Sequence, residues 1–212
     1  PGPACQAPFY VGLTALTFAL RTPDNKQWAI VGAALGVTLL GHSAPAVLLG
    51  LLAFISLGTG TREEWPVRAR LQALSLLVIT AIGVASPLLI SIVGHYGLRI
   101  RNPLGLLWTD AGVDIDTWTV SALASASRPD MIFMVLGGAL ILVRVRTLAR
   151  EYVLVAAWLG LSALLFAYHA VGVHQMRAGT SAWPLFSPPH HFLFYFRAGL
   201  LVAFGLGVDR AS

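Results

Sequence analysis

The sequence predicts an all-α protein: a polytopic transmembrane bundle of about seven helices, two of them short and paired as a hairpin, with one long outer loop. Three observations carry this expectation. Of 212 residues, 57% are hydrophobic and only 11% are charged, with mean hydropathy +0.76, whereas a soluble domain carries about 25% charged residues. The apolar residues come in runs of roughly bilayer length, without the period-two alternation of a membrane barrel. Lys and Arg are spread unevenly over the connecting segments. This composition excludes a soluble globular domain, and it excludes disorder, which needs low hydrophobicity and high charge. The single Cys5 excludes a disulfide framework within the chain and a thiolate-rich metal site. The net charge of +5 belongs to loops facing the cytoplasm in such a protein and implies no nucleic-acid partner.

The apolar runs, in order, are 9–20, 28–57, 71–93, 131–143, 152–173 and 192–208. Each is expected to be helical, because a lipid-exposed backbone must satisfy its own hydrogen bonds. The run 28–57 is ambiguous. As one helix it would be about 45 Å long, against a hydrocarbon core of about 30 Å. Gly41 is a natural helix stop, and Pro45 disfavours helix at Ala44. Loop charge favours two short helices with a turn at His42. Arg21, Lys26, Arg62, Arg68, Arg70, Arg144, Arg146, Arg150 and Arg210 then fall on one side. Arg99, Arg101, Arg128 and Arg177 fall on the other, a split of nine to four. A single long helix gives six against seven and no bias. The basic side is therefore the expected cytoplasmic side.

That arrangement gathers His42, His95, His174, His190 and His191 on the outer side, together with Asp110, Asp114 and Asp116. The segment Ser187-Pro188-Pro189-His190-His191-Phe192-Leu193-Phe194-Tyr195-Phe196-Arg197 holds the most information. The two prolines set up a helix start. His190 and Arg197 are seven apart and share a face, about 10 Å apart along the axis. An Arg inside the membrane is expensive unless it snorkels, pairs or lines a wet cavity. The functional reading is an anion site, most naturally for phosphate; the plainer one is an interfacial anchor. His42 reads as a turn residue that caps its neighbours or as a donor to a substrate. Asp114 and Asp116 offer hard oxygen ligands to a divalent cation, or belong to a solvated loop. Arg99 and Arg101 beside that loop attract an anion or ride at the interface. His169 and His174, five apart, do not share a helix face, and haem is not expected.

Three pieces then resemble the membrane half of the GT-C superfamily of glycosyltransferases: Leu35 to Pro45 with its Gly41-His42-Ser43-Ala44-Pro45 turn, Leu77 to Arg101 with Ala85-Ser86-Pro87 leading to an outer Pro-containing stretch, and Pro188 to Arg197. The resemblance implies a sugar moved from a polyprenyl-phosphate donor to an acceptor on the non-cytoplasmic face of a prokaryotic inner membrane. It carries His42 to the turn histidine, and His190, His191 and Arg197 to the late motif facing the lipid phosphate, although the family often has Arg where His191 stands. Such enzymes are similar in placing an acidic base in the first outer loop. Pro1 to Gln6 contains no acid. The chain, 1–212, is thus expected to be a single transmembrane domain of a longer protein, with its catalytic part upstream and no transfer activity alone. Asp110, Asp114, Asp116 and Asp130 are the fallback bases. A transporter or lipid flippase, and a non-catalytic membrane assembly subunit, are the rival readings. Sugar, acceptor, metal requirement and oligomeric state are not legible.

Overall fold

The computed structural model describes residues 3–21, 24–59, 65–96, 128–144, 150–178 and 187–209. All regular structure among them is helical. The seven helices are α1 (Pro3–Arg21), α2 (Asn25–Gly41), α3 (Ser43–Thr59), α4 (Val67–Tyr96), α5 (Arg128–Arg144), α6 (Arg150–Arg177) and α7 (Pro189–Asp209). Three of them contain stretches long and apolar enough to cross a membrane: Val67–His95, Glu151–Gln175 and Pro189–Val208. Ser43–Gly58 is a shorter apolar helix. The chain divides into two compact units, Pro1–Arg101 and Asn102–Ser212.

In the first unit α2 packs against α1, α3 and α4. Asp24 caps α2, its carboxylate accepting the Lys26 amide at 3.0 Å. The run 28–57 is two helices. Its break is His42, in extended backbone at φ −165° and ψ 134°. Leu35 and Gly50 meet across the turn, so α2 and α3 form an antiparallel hairpin. Small residues bring the helices close. A Cβ on Gly12 would stand 3.1 Å from that of Ala34. Gly32 lies on the Leu77 backbone of α4, and a Cβ on Gly36 would stand 2.7 Å from the Ala81 carbonyl oxygen. The four-residue step along α2 matches a four-residue step along α4, so the two helices run parallel. This is the small-xxx-small contact by which membrane helices pack without a hydrophobic driving force between them.

Helix α4 continues through Pro87 to Tyr96, as the apolar run 71–93 implied, and residues 97–101, toward the outer stretch that the resemblance implies, lie outside the described residues. Proline removes one amide hydrogen, which leaves the Gly83 carbonyl short of a donor. The Ser86 hydroxyl donates to that carbonyl at 2.7 Å. The helix keeps its internal hydrogen bonding, as a lipid-facing segment must.

In the second unit α6 and α7 are antiparallel. Tyr152 donates to the Leu206 carbonyl at 3.5 Å, Gly199 lies against Trp158 and Leu159, and the His169 ring lies 4.9 Å from that of Phe192. At the far end Ile141, Tyr152, Val155, Leu159 and Ala203 form a buried apolar cluster. That cluster, and the five residues between α5 and α6, hold the end of α5 beside the start of α6. Helix α5 therefore runs with α7, crossing it where Gly137 lies on the Leu200 carbonyl.

Candidate anion site on the last helix

Helix α7 begins at Pro189, whose missing amide hydrogen costs nothing in the first turn. Ser187, just before it, is buried, and its Oγ shares a hydrogen bond of 3.1 Å with His191 Nδ1. His191 is thereby tied to the helix start. His190 is 7% exposed, with its ring 4.6 Å from that of His191 and at 78° to it. Successive residues on a helix project about 100° apart. The two imidazoles therefore leave the helix on different faces. His190 and Arg197, seven residues apart, share a helix face, and His191 projects about 100° from it.

Arg197 is half-buried, near the middle of the span Pro189–Val208. It lies about 12 Å below the first residue of α7 at 1.5 Å per residue. Its side chain tilts toward the helix start, hence toward His190. A guanidinium near the centre of an apolar span is a functional feature by default, because hydrocarbon solvates it poorly. Together the two side chains offer a planar fork of N–H donors and an imidazole, which suit an oxyanion. Asp130 is half-buried in the first turn of α5, which begins at the same membrane end as α7.

His42 belongs to the first unit and serves its turn. Its amide donates to the Thr38 carbonyl at 2.8 Å, closing α2. Its Nδ1 accepts the Ala44 amide at 3.1 Å, opening α3. Such a bond requires a lone pair on Nδ1, and so a neutral ring with its proton on Nε2. Burial pushes the His42 pKa below the ordinary histidine value, which favours that form. The capping reading of His42 is realised, although the ring caps an amide where a carbonyl was expected.

Sequence reasoning passed over the stripe of α6 buried at mid-span. Trp158, Ser162 and His169 are all 0% exposed, at helical spacing. The His169 Nδ1–H donates to the Leu165 carbonyl at 2.8 Å, which leaves the ring lone pair on Nε2. Ser162 Oγ is buried with no hydrogen-bond partner among the described residues. The α6–α7 register sets Ser162 within a turn of Tyr195, itself 3% exposed. The signal was present in the spacings 158, 162, 169 and 192, 195, 199, which only an antiparallel pairing joins. His174 is exposed where His169 is buried, as the five-residue spacing implied. Arg99, Arg101, Asp110, Asp114 and Asp116 lie outside the described residues. Among the described residues no three His, Cys, Asp or Glu side chains converge as metal ligands. No protein-family model, no curated protein and no solved structure matches the chain.

Proposed function

We propose that this chain is the membrane portion of a GT-C-like glycosyltransferase, multi-pass in a prokaryotic inner membrane, moving a sugar from a polyprenyl-phosphate donor to an acceptor on the non-cytoplasmic face. The observation that supports it most is the shared face of His190 and Arg197 in the N-terminal half of an apolar, span-length helix. In this reading Arg197, with His190, holds the phosphate and stabilises the charge that grows as the glycosidic bond to it breaks. The acceptor hydroxyl must lose a proton to a carboxylate within about 3 Å. Of the described acids in the second unit, Asp130 is the one at the end of the helices where His190 stands. His42 takes no part in the chemistry and holds the α2–α3 turn.

The test is turnover of a polyprenyl-phosphate sugar by the full-length protein in nanodiscs. Arg197→Lys is expected to impair it strongly, because Lys lacks the bidentate fork. Arg197→Leu is expected to abolish it while leaving the protein folded. If Arg197→Leu lowers yield and leaves the specific activity of the remainder unchanged, Arg197 is an anchor and the reading fails. The transporter reading is favoured by one observation, the broken α2–α3 pair, since interrupted helices line transport sites. Substrate uptake into sealed vesicles without any sugar transfer would decide for it.

A further inference from the structure

Every described Lys and Arg of the first unit lies at one end of it. Arg21 closes α1, Lys26 is the second residue of α2, and Arg68 and Arg70 fall in the first turn of α4. The short link from α1 to α2 and the parallel course of α2 and α4 bring these three helix ends together. The opposite end holds the α2–α3 turn and the end of α4, where His42 and His95 are the basic side chains among the described residues. At the cationic end Trp28, 1% exposed, meets the half-buried Trp65 with ring centroids 5.4 Å apart. Arg70, seven residues before Leu77, shares the face of α4 turned to α2, and its Nε donates to the Trp65 carbonyl at 3.0 Å. Arg21, Lys26 and Arg68 are exposed. Arg68 stands nine residues before Leu77 and so points about 180° away from α2, at about 100° per residue. Lys26 stands six residues before Gly32, about 120° from the face of α2 turned to α4.

We infer that this end of the first unit is a docking rim for anionic phospholipid headgroups, held by Lys26 and Arg68 and set at interfacial depth by the Trp28–Trp65 pair. The inference rests on the span-length helices and not on the transferase reading, and it gives a lipid partner to the unit that takes no part in that chemistry. Length places the rim. The span Val67–His95 has 29 residues, about 44 Å at 1.5 Å per residue, against a hydrocarbon core of about 30 Å. The first turn of α4 therefore emerges among the headgroups, the level that tryptophan favours. Direction selects a leaflet over a single soluble anion. One small anion is held by cations that converge on it, whereas Lys26 and Arg68 leave their helices on different sides, as contact with many surrounding headgroups requires. Charge selects anionic lipid. The four cations meet one described carboxylate, Asp24, which caps α2; Arg62, Glu63 and Glu64 lie outside the described residues. Clustered Lys and Arg beside a span draw anionic headgroups toward them.

The test places a photo-crosslinking benzoylphenylalanine at position 67 in the full-length protein, in nanodiscs of equal parts phosphatidylglycerol and phosphatidylcholine. The control carries it at position 93, since Val67 and Val93 are both 56% exposed at opposite ends of α4. Each lipid is radiolabelled in turn, and the ratio of phosphatidylglycerol to phosphatidylcholine captured is read at each position. The ratio at 67 is expected to exceed that at 93 severalfold. It should fall when sodium chloride is raised, because salt screens exposed charges. Lys26→Gln with Arg68→Gln should bring the ratio at 67 down to that at 93. The comparison of 67 with 93 at low and high salt, in the protein with Lys26 and Arg68 intact, keeps the test informative if the double variant does not fold. Equal ratios at the two positions overturn the inference, as does capture of neither lipid at 67, which would put that end outside the bilayer. Loss of the preference on adding millimolar inorganic phosphate, at constant ionic strength, means a soluble anion and overturns it too. A preference retained in a folded double variant removes Lys26 and Arg68 from the rim and overturns it as stated. None of these readings depends on sugar transfer, so the rim and the transferase reading stand or fall separately.

Discussion

The two units solve the same packing problem with different side chains. In the first, Gly32 and Gly36 let α2 lie on the backbone of α4, and buried Thr38 turns its hydroxyl to the Ala34 carbonyl at 2.6 Å. The second unit also uses glycine contacts, at Gly137, Gly199 and Gly207. It buries Ser162, His169 and His190 as well, and sets Arg197 near mid-span. Helices in lipid associate through close van der Waals contact, so small residues suffice to hold them together. Imidazoles and a guanidinium are not needed for that purpose and are costly in hydrocarbon. Under the proposed function the first unit serves as scaffold, and the second holds the groups proposed to bind the phosphate.

The strongest way to break this comparison is to overfill the scaffold. Gly32→Leu has no space beside the Leu77 backbone and should remove most of the folded protein, since overpacking costs about 1–3 kcal/mol or more and a backbone cannot swing aside as a side chain can. Size-exclusion yield in detergent reads this. A monodisperse, normally stable Gly32→Leu protein would show that α2 and α4 do not meet there.

Next comes the asymmetry at Arg197. If the second unit carries function and not stability, Arg197→Leu should leave the melting temperature equal or raised while ligand binding is lost. A melting temperature lowered by several degrees would make Arg197 part of the scaffold and erase the contrast between the units.

A smaller effect is expected at Ser162. A buried hydroxyl without a partner costs about 1–3 kcal/mol, so Ser162→Ala should stabilise the second unit modestly in a thermal melt. Thr38→Ala, which removes a satisfied hydroxyl in the first unit, should not stabilise. Destabilisation by Ser162→Ala would mean that its hydroxyl is bonded after all, through water or a ligand.

The smallest effect sharpens the view of His42 as a structural cap. Its pKa is lowered in the folded state, so the folded protein takes up the proton less readily than the unfolded chain. The stability it gives is fully present above the unfolded value of about 6.5 and is lost as pH falls through the lower folded value. Protonation removes the lone pair that accepts the Ala44 amide. Asn at position 42 caps without titrating. The melting temperature of the native chain should therefore fall more between pH 7.5 and pH 5 than that of His42→Asn. Equal falls would show that the cap does not respond to pH in this range.

Much of this molecule was legible in one dimension. Each apolar run became helical, the run 28–57 as two helices, because a backbone without water must bond to itself. The break at His42 was legible too, since Gly41 stops α2, although Ala44, expected to leave the helix before Pro45, is helical in α3. The shared face of His190 and Arg197 needed nothing beyond a seven-residue spacing. Other features depended on how the helices pair. Nothing local tells Gly32 that it lies on Leu77, or Gly199 that it lies against Trp158, since those contacts join residues far apart in the chain. The separation of α7 into a face turned to α6 and an opposite face was decided by tertiary structure alone. Helical spacing says which side chains share a face, and only the neighbouring helix decides which face is covered.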